Sequence, residues 1–255
     1  MTKKIKQMKI NSKFCVIIPA YNNENSLAAV IESVLKNCLN VIVINDGSTD
    51  RTENVALNFG NKITLISYKK NRGKGFALTQ GFKVANKMDF EYALTIDADG
   101  QHNAGDMIKF FEAIKNQPNR LIIGARSFNN PNIPKGSIFA NKFSNFWFRL
   151  QTAQNISDTQ SGFRLYPIKK IYKMRLFTSR YETELELLVR CAWKGISIVT
   201  VPINVFYPPK EERVSHFRPK KDFLRISLLN TILCFFALFY GYPRMFFCRI
   251  FCNKK

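Results

Sequence analysis

The sequence predicts an α/β fold: an open, mostly parallel sheet with helices on both faces, followed by an apolar helical tail. Three observations predict it. Short β-branched runs alternate with segments whose apolar residues recur at helical spacing. The strand-to-helix turns are rich in Asn, Asp and Gly. Residues 226–243 contain no charged side chain. Strand and helix in alternation argue for a sheet covered on both sides, and such sheets bind ligands beyond the carboxyl ends of their strands.

Residues 14–18 form the first strand candidate, ending at Pro19 and followed by Ala20-Tyr21-Asn22-Asn23-Glu24. A helix is expected from Asn25 or Ser26, with Leu27, Val30, Ile31, Val34 and Leu35 on one stripe. The second strand, 41–44, ends in Asn45-Asp46-Gly47-Ser48-Thr49-Asp50, a carboxylate and a turn glycine among helix-capping side chains. The third, 63–66, leads to Asn71-Arg72-Gly73-Lys74-Gly75 and another helix. The apolar run 92–96 precedes Asp97-Ala98-Asp99-Gly100-Gln101-His102, and 121–124 is a further strand ahead of Arg126.

Asp97 and Asp99 stand two residues apart at a strand end, which points both acids to one side, and Gly100 lets the chain turn away. Two acids aimed at one spot repel unless a cation lies between them. Mg²⁺ or Mn²⁺ suits oxygen ligands and bound phosphate. A turn with a helix N-cap is the alternative for an isolated Asp-x-Asp.

Taken together, Val16-Ile17-Ile18-Pro19-Ala20-Tyr21-Asn22, Val43-Ile44-Asn45-Asp46-Gly47-Ser48-Thr49-Asp50, Asn71-Arg72-Gly73-Lys74-Gly75-Phe76-Ala77-Leu78 and Asp97-Ala98-Asp99-Gly100-Gln101-His102 resemble the family 2 glycosyltransferases of the GT-A fold. Within that family the chain is most similar to the dolichyl- and polyprenyl-phosphate mannose or glucose synthases. Gly162-Phe163-Arg164-Leu165-Tyr166 and Tyr181-Glu182-Thr183-Glu184 match more loosely. The likeness runs from about residue 13 to about residue 206. It implies that Pro19, Ala20, Tyr21, Glu24, Asp46 and Lys74 serve the nucleotide sugar. It also implies that Asp97, Asp99 and Gln101 hold the metal and the sugar diphosphate, with Arg126 and Arg164 facing phosphates or acceptor. A covering aromatic, a turn acid, a first-turn helix acid and a solvated arginine are the structural alternatives for Tyr21, Asp46, Glu24 and Arg126.

The resemblance implies inversion at the sugar's anomeric carbon by direct displacement. A metal at Asp99 would act as a Lewis acid toward the departing diphosphate. One unit-charge pair at ~4 Å and an effective dielectric of ~20 is worth roughly 4 kcal/mol, about three powers of ten in rate if realised only in the transition state. A lipid-phosphate acceptor is already an anion. A hydroxyl acceptor needs a base, for which Glu182, Glu184 and Glu186 are candidates at a helix start, Glu184 foremost. A dipole-favoured acid at a helix N-terminus is the alternative.

The chain of 255 residues has a net charge of +21. It is long enough for one full core plus a tail, and its charge favours anionic partners. No nucleic-acid motif accompanies that charge. The sequence divides into a basic N-terminal tail (1–12), a catalytic domain (13–207), an acceptor or phosphate loop and basic linker (208–222) and a membrane-associated helical tail (223–255). Within the linker, Ser215-His216-Phe217-Arg218 departs from the usual pattern of the polyprenyl-phosphate synthases. The Pro- and Asn-rich loop 129–136 is expected to be mobile near the acceptor.

Spanning a bilayer takes ~20 apolar residues, so 226–243 is borderline. Tyr240 and Tyr242 suit an interface, and Lys220, Lys221, Arg225, Arg244 and Arg249 suit phospholipid headgroups. The expectation is an interfacial or re-entrant helix or hairpin whose removal leaves a soluble enzyme. Packing on the enzyme's own core is the alternative. Residues 1–13 are polar and basic and do not read as a secretory signal, so the active domain is expected at the cytoplasmic face of a membrane. Six cysteines without a Cys-x-x-Cys pair, and only two histidines, speak against zinc.

The expected partners are a UDP- or GDP-linked sugar, a lipid or glycan acceptor and the membrane surface. A nucleotidyltransferase would need a Gly-rich signature where Pro19-Ala20-Tyr21-Asn22 stands. A non-catalytic basic binding protein would have no use for the acid pair.

Overall fold

A computed structural model describes residues 13–128, 133, 135–207 and 219–252. The basic segment 1–12, most of the 129–136 loop, and the 208–218 loop with Ser215, His216 and Arg218 lie outside the described residues.

Among the described residues seven strands form one sheet: β1 (Phe14–Ala20), β2 (Val41–Asn45), β3 (Thr64–Ser67), β4 (Tyr92–Thr95), β5 (Leu121–Arg126), β6 (Arg164–Pro167) and β7 (Ile198–Ile203). Their order is β3-β2-β1-β4-β6-β5-β7. The β1–β2, β2–β3, β1–β4 and β5–β7 pairs are parallel, as expected from the alternating pattern. The strands that the sequence did not announce are β6 and β7. β6 runs antiparallel between β4 and β5, with Thr95 opposite Arg164. That reversal places the turn before β6, including Gly162, at the edge where β4 ends.

The helices are α1 (Leu27–Leu35), α2 (Thr52–Leu57), α3 (Lys74–Lys87), α4 (Met107–Asn116), α5 (Lys135–Thr152), α6 (Ile168–Ile171), α7 (Glu182–Trp193), α8 (Pro219–Phe236) and α9 (Tyr242–Cys252). Buried on both faces, β1 and β2 read as unbroken apolar runs. Alternation along β1 feeds two cores. Phe14, Val16 and Ile18 meet α1 and α4, while Cys15 and Ile17 meet α3 and the layer formed by α7 and α8. Leu27, Val30, Ile31 and Val34 of α1 are buried, as their spacing requires.

The tail is one continuous helix rather than a hairpin. Residues Lys221–Cys248 form 28 residues of helix, whose most apolar 18-residue window has a mean hydropathy of 1.8. By length and composition it could cross a bilayer, yet it lies along α5 and α7. Leu229, Leu233 and Ala237 join the α7 core. The Gln151 amide donates to Asn230 Oδ1 at 3.0 Å, and the Tyr242 hydroxyl donates to the Leu150 carbonyl. A π-helical turn, Ala237–Gly241, separates α8 from α9. Pro243 explains it, since Pro has no N–H to return to the preceding turn and its ring crowds that turn. Phe223, Leu224, Leu228, Phe235, Leu238, Phe239, Phe246 and Phe247 remain exposed on the outer face.

Candidate active site

The parallel strands β1, β2 and β4 end at one edge. There a cavity of about 470 Å³ opens, lined by Pro19, Ala20, Tyr21, Asn22, Asn23, Asp46, Asn71, Gly73, Lys74, Asp97 and Asp99. Four loops far apart in sequence, those after β1, β2, β3 and β4, therefore share one wall. Arg180 and Tyr181, ahead of α7, and Asp222, in the first turn of α8, complete the lining.

Each loop has a physical reason for its shape. Gly47 sits at φ +68°, and a Cβ there would come 2.4 Å from the Asn71 backbone nitrogen. Only glycine lets the second loop touch the third. Asp46 exploits that closeness. Its carboxylate accepts from Arg72 N at 2.9 Å, Gly73 N at 2.7 Å and Asn71 Nδ2 at 3.1 Å. Burial raises its pKa against those hydrogen bonds. Asp46 thus lines the pocket while holding the loop that presents Lys74.

Lys74 lies between two acids, 2.7 Å from Asp97 Oδ1 and 2.8 Å from Glu184 Oε2. Burial opposes its charge, but Asp97 and Glu184 outweigh burial and raise its pKa. Burial likewise opposes the charge of Asp97, and Lys74, with smaller help from His102 and Arg164, holds its carboxyl below the usual range. Asp99 makes no such ion pair among the described residues. Burial and the neighbouring Asp97 push its pKa up to about 6. Its Oδ1 accepts from Gln101 N at 3.0 Å, and its other oxygen has no protein partner among the described residues. Burial lowers the His102 pKa to about 4, so its 4.0 Å approach to Asp97 is not an ion pair at neutral pH.

A divalent cation fits this donor set. Among the described residues no group of three or more His, Cys, Asp or Glu side chains closes a cage. Mg²⁺-type sites take one or two carboxylates and complete their shell with water and substrate phosphate. Asp99, with an uncommitted oxygen and no cation of its own, supplies that kind of open position beside Asp97.

The remaining expected residues fall elsewhere. Gln101 does not line the cavity; its backbone N–H shapes the Asp99 turn. Glu24 accepts from Arg51 N and Nε, which ties the first loop to the second outside the cavity. Arg126 forms a two-pronged pair with Asp158 at 2.7 and 2.9 Å, away from the cavity lining. Arg164 is wholly buried and does not reach the cavity. It donates to the carbonyls of Ser161, Thr159 and Glu184, so it positions the pre-β6 turn and the start of α7. Glu184 stands behind Lys74, and its Oε1 is buried without a partner.

The sequence reading missed Arg180, Asn71 as a pocket side chain, and Asp222. Gly73 carried a signal for the first. It sits at φ +101°, and a Cβ there would meet the Arg180 Cγ at 2.6 Å. Asp222 stands out as the one acid beside Lys220 and Lys221.

Residues 15–175 match the family model described as Glycosyl transferase family 2. A UDP-N-acetylglucosamine–dolichyl-phosphate N-acetylglucosaminyltransferase of Methanococcus voltae is 31% identical, covering 75% of this chain and 85% of that protein. A polyprenol monophosphomannose synthase of Mycolicibacterium smegmatis is 26% identical over 74% of this chain and 76% of its own. Among solved structures, glucosyl-3-phosphoglycerate synthase from Mycobacterium tuberculosis, in complex with Mn²⁺, UDP and phosphoglyceric acid, superposes with a TM-score of 0.66. It shares 18% identity, over 87% of this chain and 78% of that one.

Proposed function

This chain belongs to glycosyl transferase family 2 and is a glycosyltransferase; we propose that it moves one sugar from a UDP-linked donor to a polyprenyl-type lipid phosphate, at a membrane surface. One observation carries the acceptor class. The apolar helix is built into the cavity wall through Asp222, so a surface suited to lipid and the donor pocket share one element. Relatives named for dolichyl or polyprenol phosphate acceptors agree with that reading. Sugar nucleotides are made in the cytoplasm, and the tail is proposed to seat the enzyme on that face of the membrane.

Asp99, with Asp97 beside it, would hold Mg²⁺ or Mn²⁺. When bound, the cation supplies Lewis-acid stabilisation of the diphosphate leaving group. The rest of the work belongs to side chains. Lys74, kept charged by Asp97 and Glu184, faces the cavity as a fixed positive charge for phosphate oxygens. Pro19, Ala20 and Tyr21 form the floor for the nucleotide, and Asp46 fixes the opposing loop. Arg180 provides a second cation in the cavity wall. A lipid phosphate attacks as an anion, so direct displacement with inversion needs no base, and Glu184 then acts by positioning Lys74.

A second reading rests on the unpartnered, buried Oε1 of Glu184. With a hydroxyl acceptor, of a glycan or glycolipid, Glu184 would accept the proton. One experiment separates the two. The full chain is incubated with Mn²⁺, a panel of UDP- and GDP-linked sugars and a membrane lipid extract. The expected product is an organic-soluble sugar phosphate that mild acid releases. An acid-stable product, abolished in Glu184→Gln, would establish the hydroxyl reading instead. Transfer at full rate in Asp99→Ala would remove the cation role.

A further inference from the structure

A second cavity, of about 140 Å³, lies at the opposite end of α7 from the active site. The 12 residues of α7 separate the two by roughly 18 Å at ~1.5 Å per residue. Its walls carry four cations, Lys173, Arg175, Arg190 and Lys194, together with Met174, Trp193 and Tyr240. Among the described residues, the only ion pair these cations make is Arg190 with Glu186, at 2.7 Å. Glu186 also takes the backbone N–H groups of Phe177 and Thr178, which leaves it little capacity for the other three. Cations gathered around one small space repel unless an anion sits among them.

The tail forms the remaining wall by design of its backbone. A Cβ at Gly241 would come 2.4 Å from Trp193 Nε1, so glycine lets the π-helical turn press onto α7. The turn carries Tyr240 against Trp193, ring centroids 6.0 Å apart. One turn on, Arg244 donates to the Tyr240 hydroxyl at 3.0 Å. Beside the cations lie exposed aromatics. Arg190 rests 4.4 Å over the Phe177 ring, and Phe177 meets Phe236 at 6.1 Å. A phosphate-sized basic cavity thus opens beside the exposed apolar face of the tail.

We propose that this cavity binds the phosphate of an anionic phospholipid headgroup, whose acyl chains lie along the exposed face of α8 and α9. The site serves to hold the tail on an anionic membrane and takes no part in transfer. It rests on the tail meeting a membrane, and not on the chemistry at Asp99, so vesicle binding tests it without an activity assay.

The test uses the full chain in three forms: wild type, Lys173→Ala/Arg175→Ala/Lys194→Ala, and a control of equal charge loss, Lys83→Ala/Lys87→Ala/Lys115→Ala, on the other side of the sequence. All six positions are exposed, so each variant keeps its fold, which circular dichroism checks. Each is sedimented with vesicles of phosphatidylcholine alone or mixed with phosphatidylglycerol. At ~1 kcal/mol per basic residue near an anionic surface, the cavity variant should lose on the order of 100-fold in affinity for the mixed vesicles. The control should lose much less, and binding to phosphatidylcholine alone should be equal in all three. Equal losses in cavity and control variants would reduce the effect to net charge and overturn the site. Failure of the wild type to bind either vesicle would overturn both the site and the membrane seating. Binding of inorganic phosphate that the cavity variant loses, with wild type and cavity variant binding the mixed vesicles equally, would overturn the lipid as the source of the phosphate.

Discussion

The two halves of the sheet handle their charged residues in opposite ways. On the β1–β2–β4 side, Asp46, Asp97 and Asp99 stand at strand ends, line the cavity and lie in short loops that name themselves in the sequence. On the β5–β6–β7 side, Arg126 and Arg164 look equally functional in sequence, yet one is clasped by Asp158 and the other is buried among carbonyls. Among the described residues the cations that reach the cavity are Lys74 and Arg180, one on α3 and one just ahead of α7. A strand end has its direction set by local register. A charge in a loop between distant elements is used by whichever neighbour packing brings to it.

The harshest way to break this contrast is to remove the tail. The sequence suggests that deleting 226–255 frees a soluble enzyme. Leu229, Leu233 and Ala237 instead complete the α7 core, so the truncated chain is expected to lose its cooperative unfolding transition and precipitate. The milder Leu233→Ala should cost about 2–5 kcal/mol in denaturant unfolding. A stable, monomeric truncation would show that the tail and the sheet with its helices are independent.

Next in size, Asp99→Asn should lower turnover roughly a thousandfold at saturating Mn²⁺, by the loss of about 4 kcal/mol of charge stabilisation. The amide oxygen still accepts from Gln101 N, so the thermal midpoint should not fall. Chelation of the wild type should abolish transfer, and added Mn²⁺ or Mg²⁺ should restore it. A cation-independent rate would contradict the role given to the first half.

Arg164→Met sharpens the second half. It orphans three buried carbonyls and should destabilise the fold by about 3–5 kcal/mol. The fraction that remains folded should keep its KM for the donor. A shift in KM without a loss of stability would return Arg164 to the ligand. Arg180→Ala should do the reverse. It should lower kcat/KM by about 10- to 100-fold, as for one charge-assisted hydrogen bond, and leave denaturant unfolding unchanged.

Smallest of all, Glu24→Gln should change neither turnover nor stability appreciably. Its partner Arg51 is largely exposed, and solvent screens the pair. A large loss of donor affinity in that variant would place Glu24 on the nucleotide after all.

The sequence by itself determined the α/β alternation, the positions of β1 through β5, the α1 stripe and the identity of the acids at the strand ends. These follow from periodicities of two and 3.6 residues and from turn residues with strong local preferences, which neighbours in the chain suffice to express. Only the tertiary structure decided that β6 runs antiparallel, that Arg164 serves backbone carbonyls, that Asp46 is committed to the 71–73 loop, and that the apolar tail lies on α7 and lends Asp222 to the cavity. Each of those depends on which distant surface a side chain meets, and burial, ion pairing and hydrogen bonding are settled between elements rather than within them.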